Sequence, residues 1–322
     1  MKAIRVLKPG GREVLSYAEV PDPRPERGQA LVALEFAGIN FIDVYQREGM
    51  YPIAVPFTLG TEAAGTVIAV AADVSDLKAG DRVAYQGVQG AYAHRTVAPA
   101  DRLVKLPDTV STRTAAALML QGLTAHYLAT STYSLKSGDT ALVHAAAGGV
   151  GLLLTQIAKL RGAKVIGTVS TEAKAALARE AGADHVILYT QQDFAAETQR
   201  LTDNRGVQVV YDSVGRTTFD QSLNCLAARG LLVLFGASSG AVPPFNPQVL
   251  NQKGSLYLTR PTLANYVATR SELLQRAGEL FDWLRDKKLS VRVDREVALK
   301  DVAEAHRALE SRETTGKVLL KI

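Results

Sequence analysis

Residues 143–151 read Val-His-Ala-Ala-Ala-Gly-Gly-Val-Gly, and this stretch decides the fold class. An apolar run ends at Ala145, and a helical pattern follows from Val150 to Leu160. Small residues in such a turn let the backbone approach a pyrophosphate, and the helix start turns its N–H groups and positive dipole end toward phosphates. The stretch therefore predicts a strand-turn-helix unit that binds a dinucleotide. The small residues at the fingerprint positions are Ala146, Gly148 and Gly151.

Apolar strands alternate with helical stretches on both sides of this unit. Alternation of this kind is typical of a parallel sheet covered by helices on both faces, so a doubly wound α/β fold is predicted. The predicted strands are Thr140 to Ala145, Lys164 to Thr168, His185 to Leu188, Val207 to Asp212 and Leu231 to Phe235. The predicted helices are Val150 to Leu160, Glu172 to Ala181, Asp193 to Leu201 and Thr217 to Ala227.

The first 120 or so residues have a different texture. Short β-prone runs such as Gln29 to Phe36 and Ala64 to Ala69 are separated by Gly and Pro, which predicts a mostly antiparallel β domain. A short strand over Gly316 to Ile322 has no core of its own and is expected to return to that domain. We therefore predict one domain from 1–122 and 263–322 and a second from 123–262.

Composition narrows the class of protein. The 322 residues include 37 Lys and Arg against 32 Asp and Glu, and these charges are scattered, so binding of nucleic acid is not favoured. The single cysteine, Cys225, excludes an intrachain disulfide and indicates a reducing compartment. Neither a secretory signal nor a bilayer-spanning apolar run is recognisable, so we expect a cytoplasmic protein without membrane contact.

The end of the second predicted strand distinguishes NAD from NADP. An acid about 20 residues after the fingerprint would bind the ribose 2′-hydroxyl. Ser170 stands there instead, Glu172 already belongs to the next helix, and Lys174 is placed to meet a 2′-phosphate. This pattern favours NADPH. The alternative is that Lys174 is an ordinary solvated helix residue.

Five separated motifs, in order, resemble the medium-chain dehydrogenase/reductase superfamily. Within it the chain is similar, over essentially its whole length, to bacterial quinone oxidoreductases related to ζ-crystallin. The resemblance implies a GroES-like, mostly antiparallel β catalytic domain plus a Rossmann domain that binds NADPH. The motifs are Ala37 to Asp43, Pro56 to Gly65, Gly80 to Val83, Ala145 to Gly151 and Tyr211 to Gly215.

Zinc-dependent members of this superfamily carry a Cys in the first motif and Gly-His-Glu in the second. Here those positions hold Asn40 and Gly60-Thr61-Glu62, so we expect no metal. Chemistry that needs no strong Lewis acid remains, and a quinone suits it because its own conjugation accepts a hydride. Positioning and nearby hydrogen-bond donors are then expected to carry catalysis.

The resemblance also implies site residues. Asn40, Asp43, Tyr45 and Tyr51 are expected on the catalytic side, with the two tyrosines bordering the acceptor. The expected cofactor-binding residues are Asn40, Phe41, Ile42, Asp43, Val44, Tyr127, Gly148, Gly149, Val150, Gly151, Ser170, Lys174, Tyr189, Ser213, Phe235, Gly236, Ala237, Ser238, Ser239, Thr259, Arg260 and Arg312.

Two other functions stay open from the sequence. An NADPH-dependent alkenal or enoyl reductase would use the same hydride geometry on a different conjugated acceptor. A binding protein that holds NADPH or RNA, as ζ-crystallin relatives do, belongs to a different class, although no basic patch supports RNA binding here. The resemblance further implies a homodimer.

Overall fold

A computed structural model describes all residues from Met1 to Ile322. The chain divides into two compact units. The first unit comprises Met1–Gln121, Val267–Arg285 and Val291–Ile322, and the second comprises Gly122–Tyr266 and Asp286–Ser290. No helix has the length and apolar character needed to cross a membrane.

Sixteen strands and ten α-helices make up the two units. The strands are β1 (Lys2–Val6), β2 (Leu15–Glu19), β3 (Gln29–Ile39), β4 (Phe57–Thr58), β5 (Glu62–Val70), β6 (Arg82–Gln86), β7 (Arg95–Pro99), β8 (Val104–Lys105), β9 (Thr140–His144), β10 (Lys164–Val169), β11 (His185–Leu188), β12 (Val207–Asp212), β13 (Leu226–Leu234), β14 (Tyr257–Thr259), β15 (Val293–Ala298) and β16 (Lys317–Lys321). The helices are α1 (Phe41–Glu48), α2 (Thr112–Tyr127), α3 (Gly149–Leu160), α4 (Glu172–Glu180), α5 (Phe194–Leu201), α6 (Phe219–Asn224), α7 (Gln248–Gln252), α8 (Leu263–Tyr266), α9 (Arg270–Arg285) and α10 (Val302–Glu310).

The first unit is built on antiparallel strands, as predicted. Its larger sheet has the order β15-β16-β3-β5-β6-β8, with β7 also paired to β3, and β2-β1-β4 form a smaller sheet. Only β15 and β16 pair in parallel. The C-terminal strand β16 lies antiparallel to β3, with Val318 opposite Ile39, which confirms the predicted return of the chain end. Alternate side chains of these strands, such as Val32 and Leu320, fill the core.

The second unit holds a six-stranded sheet in the order β11-β10-β9-β12-β13-β14, and every neighbouring pair is parallel. Helices alternate with the strands along the chain. The order of strands reverses between β9 and β12, which is the place where doubly wound folds open a crevice at the carboxyl edge. The predicted Rossmann domain is confirmed.

The sequence prediction was wrong near residue 226. A helix was expected from Thr217 to Ala227, but α6 ends at Asn224 and β13 begins at Leu226. Leu226 pairs with Val207, and the register then shifts before Leu231 pairs with Val209. Strand pairing therefore overrides the local helix preference of Leu-Ala-Ala. The three-residue strand β14 was also missed, because so short a run shows no periodicity.

Candidate active site

The turn between β9 and α3 brings backbone unusually close to backbone. Ala145 has a positive φ of 52°, and α3 then starts at Gly149 behind Gly148. A Cβ atom on Gly151 would lie 2.3 Å from the carbonyl oxygen of Ala145 and 2.8 Å from the Cα of Ala146. Only glycine therefore lets the first turn of α3 pack against the loop that precedes it.

This helix start fits a pyrophosphate. Gly148 precedes α3 and has no side chain that could cap the helix. The first N–H groups of α3 therefore have no capping side chain as a hydrogen-bond partner. The N–H of Ala146 donates to the carbonyl oxygen of Thr168 at 3.1 Å, which fixes the turn against the end of β10. Oriented N–H groups and the positive end of the dipole favour bound phosphate. Val150 is half-buried beside them.

The cofactor residues predicted for the sheet all lie at one edge of it. Because the six strands are parallel, their carboxyl ends meet there, and each predicted residue lies at such an end or follows it. Ser170 follows β10, Tyr189 follows β11, Ser213 follows β12, Phe235 to Ser239 follow β13, and Thr259 and Arg260 close β14.

The loops after β12 and β13 are held against each other. The N–H of Ser238 donates to the carbonyl oxygen of Ser213 at 3.1 Å, and the Ser239 hydroxyl donates to the carbonyl oxygen of Val214 at 2.8 Å. A Cβ atom on Gly236 would stand 2.5 Å from the Ser213 oxygen, so this approach also requires glycine. The two loops therefore form one rigid edge, and Ala237 lies within it.

The charged groups that follow β10 favour binding of an anion. The Thr171 hydroxyl caps α4 by accepting from the N–H of Lys174 at 3.3 Å, and Lys174 lies half-buried in the first turn. The one acid of this turn, Glu172, bonds Arg179 at 2.5 Å. A helix start beside a lysine, with its acid already paired, favours a phosphate over a bare hydroxyl.

Tyr127, at the end of α2, lies deeper than the predicted residues that follow the parallel strands. Its side chain is buried, and its ring stacks on that of Tyr266 with centroids 4.2 Å apart and planes 16° from parallel. Burial raises the pKa of Tyr127, so its hydroxyl stays protonated, while the nearby Arg260 acts in the opposite direction. Tyr266 was not predicted, because no local pattern marks a stacking partner so far along the chain.

In the first unit, α1 carries Asp43 into a completely buried position. One carboxylate oxygen of Asp43 accepts from the Asn40 N–H at 2.8 Å and the Tyr92 hydroxyl at 2.7 Å. The other oxygen accepts from the Thr61 hydroxyl at 3.4 Å. Burial outweighs these donors and the charge of Lys317 and raises the pKa of Asp43 to about 7. The predicted catalytic carboxyl is thus enclosed by protein groups.

The side chain of Asn40 is equally engaged. Its NH₂ group donates to the Gly38 carbonyl oxygen at 3.2 Å and to Glu62 at 2.8 Å. Its oxygen accepts from the Lys317 ammonium at 2.8 Å. Lys317 and Glu62 escaped sequence reasoning because they are 255 residues apart and only the closure of β16 onto β3 joins them.

An aromatic surface lies beside this buried network. Tyr45 and Tyr51 meet edge to face with ring centroids 5.4 Å apart, and Phe41 lies 6.1 Å from Tyr45. The N–H of Tyr51 donates to the carbonyl oxygen of Tyr45 at 3.1 Å. Tyr51 remains 39% exposed, so part of this aromatic pair reaches the surface.

The other predicted residues of the first unit differ in exposure. Phe41 and Ile42 are half-buried, whereas Val44 is buried and faces the fold. Arg312 is exposed in the turn after α10, where it adopts a positive φ of 59°. Ile42 and Phe41 are thus the members of the first turn of α1 that retain accessible surface.

The positions that hold zinc ligands in related enzymes are chemically different here. Asn40 and Thr61 replace Cys and His, and the Glu62 carboxylate is bound by the Lys317 ammonium at 2.5 Å. No group of three or more His, Cys, Asp or Glu side chains converges in a way that could hold a metal ion. Neutral amide and hydroxyl groups beside an ammonium are poor ligands for Zn²⁺.

Two family models match the two halves of the chain. Residues 26–108 match the alcohol dehydrogenase GroES-like domain, and residues 149–278 match the zinc-binding dehydrogenase model. An antiparallel GroES-like unit combined with a parallel dinucleotide-type sheet defines the class as a medium-chain dehydrogenase/reductase.

Individual relatives narrow the class. The chain is 46% identical to a quinone oxidoreductase of Pseudomonas aeruginosa over 99% of both chains. It superposes on the crystal structure of Escherichia coli quinone oxidoreductase complexed with NADPH with a TM-score of 0.98, 47% identity and complete coverage of both chains. It is also 39% identical to a 2-haloacrylate reductase of Burkholderia over 98% of this chain and 97% of that one. The chain belongs to the quinone oxidoreductase family.

Proposed function

We propose that this chain is an NADPH:quinone oxidoreductase that reduces quinones without a metal, by hydride or electron transfer. The observation that carries the proposal is the carboxyl edge of the parallel sheet, where a glycine-lined helix start follows β9 and where Lys174, with its neighbouring acid already paired with Arg179, follows β10. The Escherichia coli relative, solved with NADPH, supports the same assignment.

Different residues at this edge bind different parts of the cofactor. The N–H groups of Gly149, Val150 and Gly151 bind the pyrophosphate, and Ser170 with Lys174 binds the 2′-phosphate. Tyr189 covers the adenine, while the loops after β12 and β13 line the nicotinamide end. When bound, NADPH supplies a hydride equivalent from its nicotinamide ring.

The acceptor side is assigned to α1 and the loop after it. The half-exposed Tyr51 ring, which meets the buried Tyr45 ring edge to face, offers an aromatic surface that suits a quinone ring. Asn40 and Asp43 are held by buried hydrogen bonds, so we assign them to fixing the start of α1. The main contribution to catalysis is then to hold the nicotinamide ring and the quinone ring in contact.

The direct test is steady-state oxidation of NADPH and of NADH with 1,4-benzoquinone and 9,10-phenanthrenequinone. We expect turnover with both quinones and a strong preference for NADPH. Protein that binds NADPH but reduces no acceptor would instead support the binding role known among ζ-crystallin relatives, and RNA binding would then be measured.

Replacing Lys174 with Ala tests the cofactor assignment. Loss of a charged contact to phosphate should weaken NADPH by about tenfold or more and leave NADH nearly unchanged. Lys164→Ala is the matched control, because Lys164 is exposed at the opposite, amino end of β10. Equal losses for both cofactors in Lys174→Ala would refute the assignment.

A second candidate is reduction of an activated alkene. The 39% identity to a 2-haloacrylate reductase favours it, because haloacrylates are conjugated acceptors that carry no quinone ring. Crotonaldehyde, an enoyl thioester and 2-chloroacrylate should be assayed beside the quinones. A kcat/KM higher for one of these than for every quinone would make the alkene the preferred substrate class.

The proposal extends to a homodimer in the cytoplasm. Strand β14 ends the parallel sheet with one edge unpaired, and Tyr257 on it is 61% exposed, so a second copy could extend the sheet there. Light scattering should show a dimer that Tyr257→Glu weakens. Leu7→Glu, at a residue 64% exposed in the other unit, is the control. The single buried, free thiol of Cys225 suits a reducing compartment.

A further inference from the structure

A closed ring of buried polar side chains lies under the start of α1, and we call Lys317, Glu62 and Asn40 the Lys317 cluster. The ammonium of Lys317 donates to Glu62 at 2.5 Å and to the Asn40 oxygen at 2.8 Å, and the Asn40 NH₂ group donates to Glu62 at 2.8 Å. Lys317 and Glu62 are fully buried and Asn40 is 4% exposed. The three side chains therefore fix one another's orientation without help from solvent.

The Lys317 cluster joins four segments that are remote in sequence. Lys317 opens β16, Glu62 opens β5, and Asn40 stands between β3 and α1. The second oxygen of Glu62 accepts from the N–H of Leu120 in α2 at 2.6 Å. The cluster thus determines where α1 begins relative to three other elements.

The backbone has made room for this ion pair. A Cβ atom on Gly38 would lie 2.3 Å from the Glu62 carboxylate and 2.6 Å from the Cε of Lys317. Gly38 has no positive φ, so glycine is required there by the close approach of these side chains and of the Ala116 carbonyl oxygen of α2, which a Cβ atom would meet at 2.7 Å. The pair is a built feature of β3 and not an incidental surface contact.

Stability alone is a poor explanation for such a cluster. Neutral replacements of a buried ion pair are often as stable as the pair itself, whereas removal of one partner leaves an unpaired buried charge. A neutral pair would, however, no longer fix the orientation of the Asn40 side chain. The ammonium distinguishes the oxygen of the Asn40 amide from its nitrogen, and the N–H of Asn40 in turn holds Asp43 at 2.8 Å.

We propose that Lys317 is a positioning residue for acceptor reduction, which acts through Asn40 on the first turn of α1 and touches neither cofactor nor acceptor. The inference rests on the proposed function, since Tyr45 and Tyr51 continue that helix and its loop. A small displacement of a reacting group can lower turnover by tenfold to about a hundredfold. NADPH affinity, set by the parallel sheet, should not change.

Charge removal and loss of position can be separated by a double variant. Lys317→Met keeps the length of the side chain but strands the Glu62 charge, so it should unfold at lower urea concentration. Lys317→Met combined with Glu62→Gln leaves no unpaired charge, and the Gln oxygen can still accept from Leu120. We expect the double variant to recover most of the stability.

The decisive measurements are urea midpoint, NADPH dissociation constant and quinone kcat/KM for wild type, the single variant and the double variant. We expect the double variant to bind NADPH like wild type yet to keep a kcat/KM lower by about tenfold or more. Recovery of kcat/KM together with stability would overturn the inference and leave the cluster a purely structural role.

Controls keep the two proposals distinguishable. Lys105→Met combined with Asp81→Asn makes the same chemical changes in a half-exposed pair 2.8 Å apart in the same unit, and it should leave kcat/KM unchanged. A wild type that reduces no quinone would reject the proposed function and this inference together. If the Lys317→Met double variant does not fold, Lys317→Gln with Glu62→Gln replaces it, and the same two results decide.

Discussion

The turn from Ala145 to Gly151 and the start of α1 solve the problem of close packing in opposite ways. The turn is made of backbone, and its geometry depends on a missing side chain at Gly151. The start of α1 is made of buried side chains with charge, namely Asp43, Glu62 and Lys317. A backbone site is encoded within a few consecutive residues, whereas a buried polar network needs the finished fold to exist.

The difference predicts that the stability of only one of the two sites depends on pH. The pKa of Asp43 lies near 7 in the folded chain and near 4 when unfolded, so the folded state holds the proton more tightly. Stability from this group is therefore complete at low pH and is lost as pH rises from about 4 to about 7, by on the order of 4 kcal/mol. The turn near Gly151 contributes no such dependence.

Asp43→Asn measures this largest effect. Its amide oxygen can accept from the Asn40 N–H and Tyr92 hydroxyl, which share one carboxylate oxygen, and its NH₂ group can donate to Thr61. Urea unfolding at about pH 5 and about pH 8 should show the variant gaining on wild type as pH rises.

The control for this titration is Asp81, whose pKa is shifted in the opposite direction. Lys105 and the Lys78 N–H lower the pKa of Asp81, so Asp81 is ionised at both pH values and Asp81→Asn should differ from wild type by a constant amount. Parallel pH curves for Asp43→Asn and wild type would contradict the buried-carboxyl prediction.

Gly151→Ala tests the backbone side of the comparison. A methyl group 2.3 Å from the Ala145 oxygen must push α3 away from the turn, which should cost about 1–3 kcal/mol of unfolding free energy. NADPH affinity should fall by about tenfold or more, because in the proposed site the displaced N–H groups would no longer converge on the phosphates.

Gly278→Ala is the matched control for that substitution. Gly278 lies within α9, and a Cβ atom there would meet nothing within 4 Å. Alanine in a helix interior should stabilise the chain by about 0.5–1 kcal/mol and leave NADPH binding unchanged. If Gly151→Ala bound NADPH as tightly as Gly278→Ala does, the turn would not be the pyrophosphate site.

These contrasts explain how much the sequence could predict. The strands around the turn were predicted to within a residue or so, because apolar runs and Gly punctuation are local signals; His185–Leu188 and Val207–Asp212 match the observed bounds. The residues at the carboxyl edge were implied by the family resemblance, and the parallel strand order explains why they lie at one edge of the sheet. Lys317, Glu62 and Tyr92 could not be predicted as one network, since their contacts span 255 and 49 residues and have no local pattern.

The smallest expected effect concerns the cap of α4, which, like the turn near Gly151, is encoded by neighbouring residues. The Thr171 hydroxyl accepts from the N–H of Lys174, so Thr171→Ala should cost about 1 kcal/mol and loosen the turn that carries Lys174. Asp193→Ala removes an equivalent cap from α5, where the carboxylate accepts from Ala195 and Ala196, and should cost a similar amount. Only the first variant should lower the ratio of NADPH to NADH affinity, because only α4 begins beside the position that we propose for the 2′-phosphate. Equal ratios in the two variants would mean that Lys174 is placed by the rest of α4 and not by its cap.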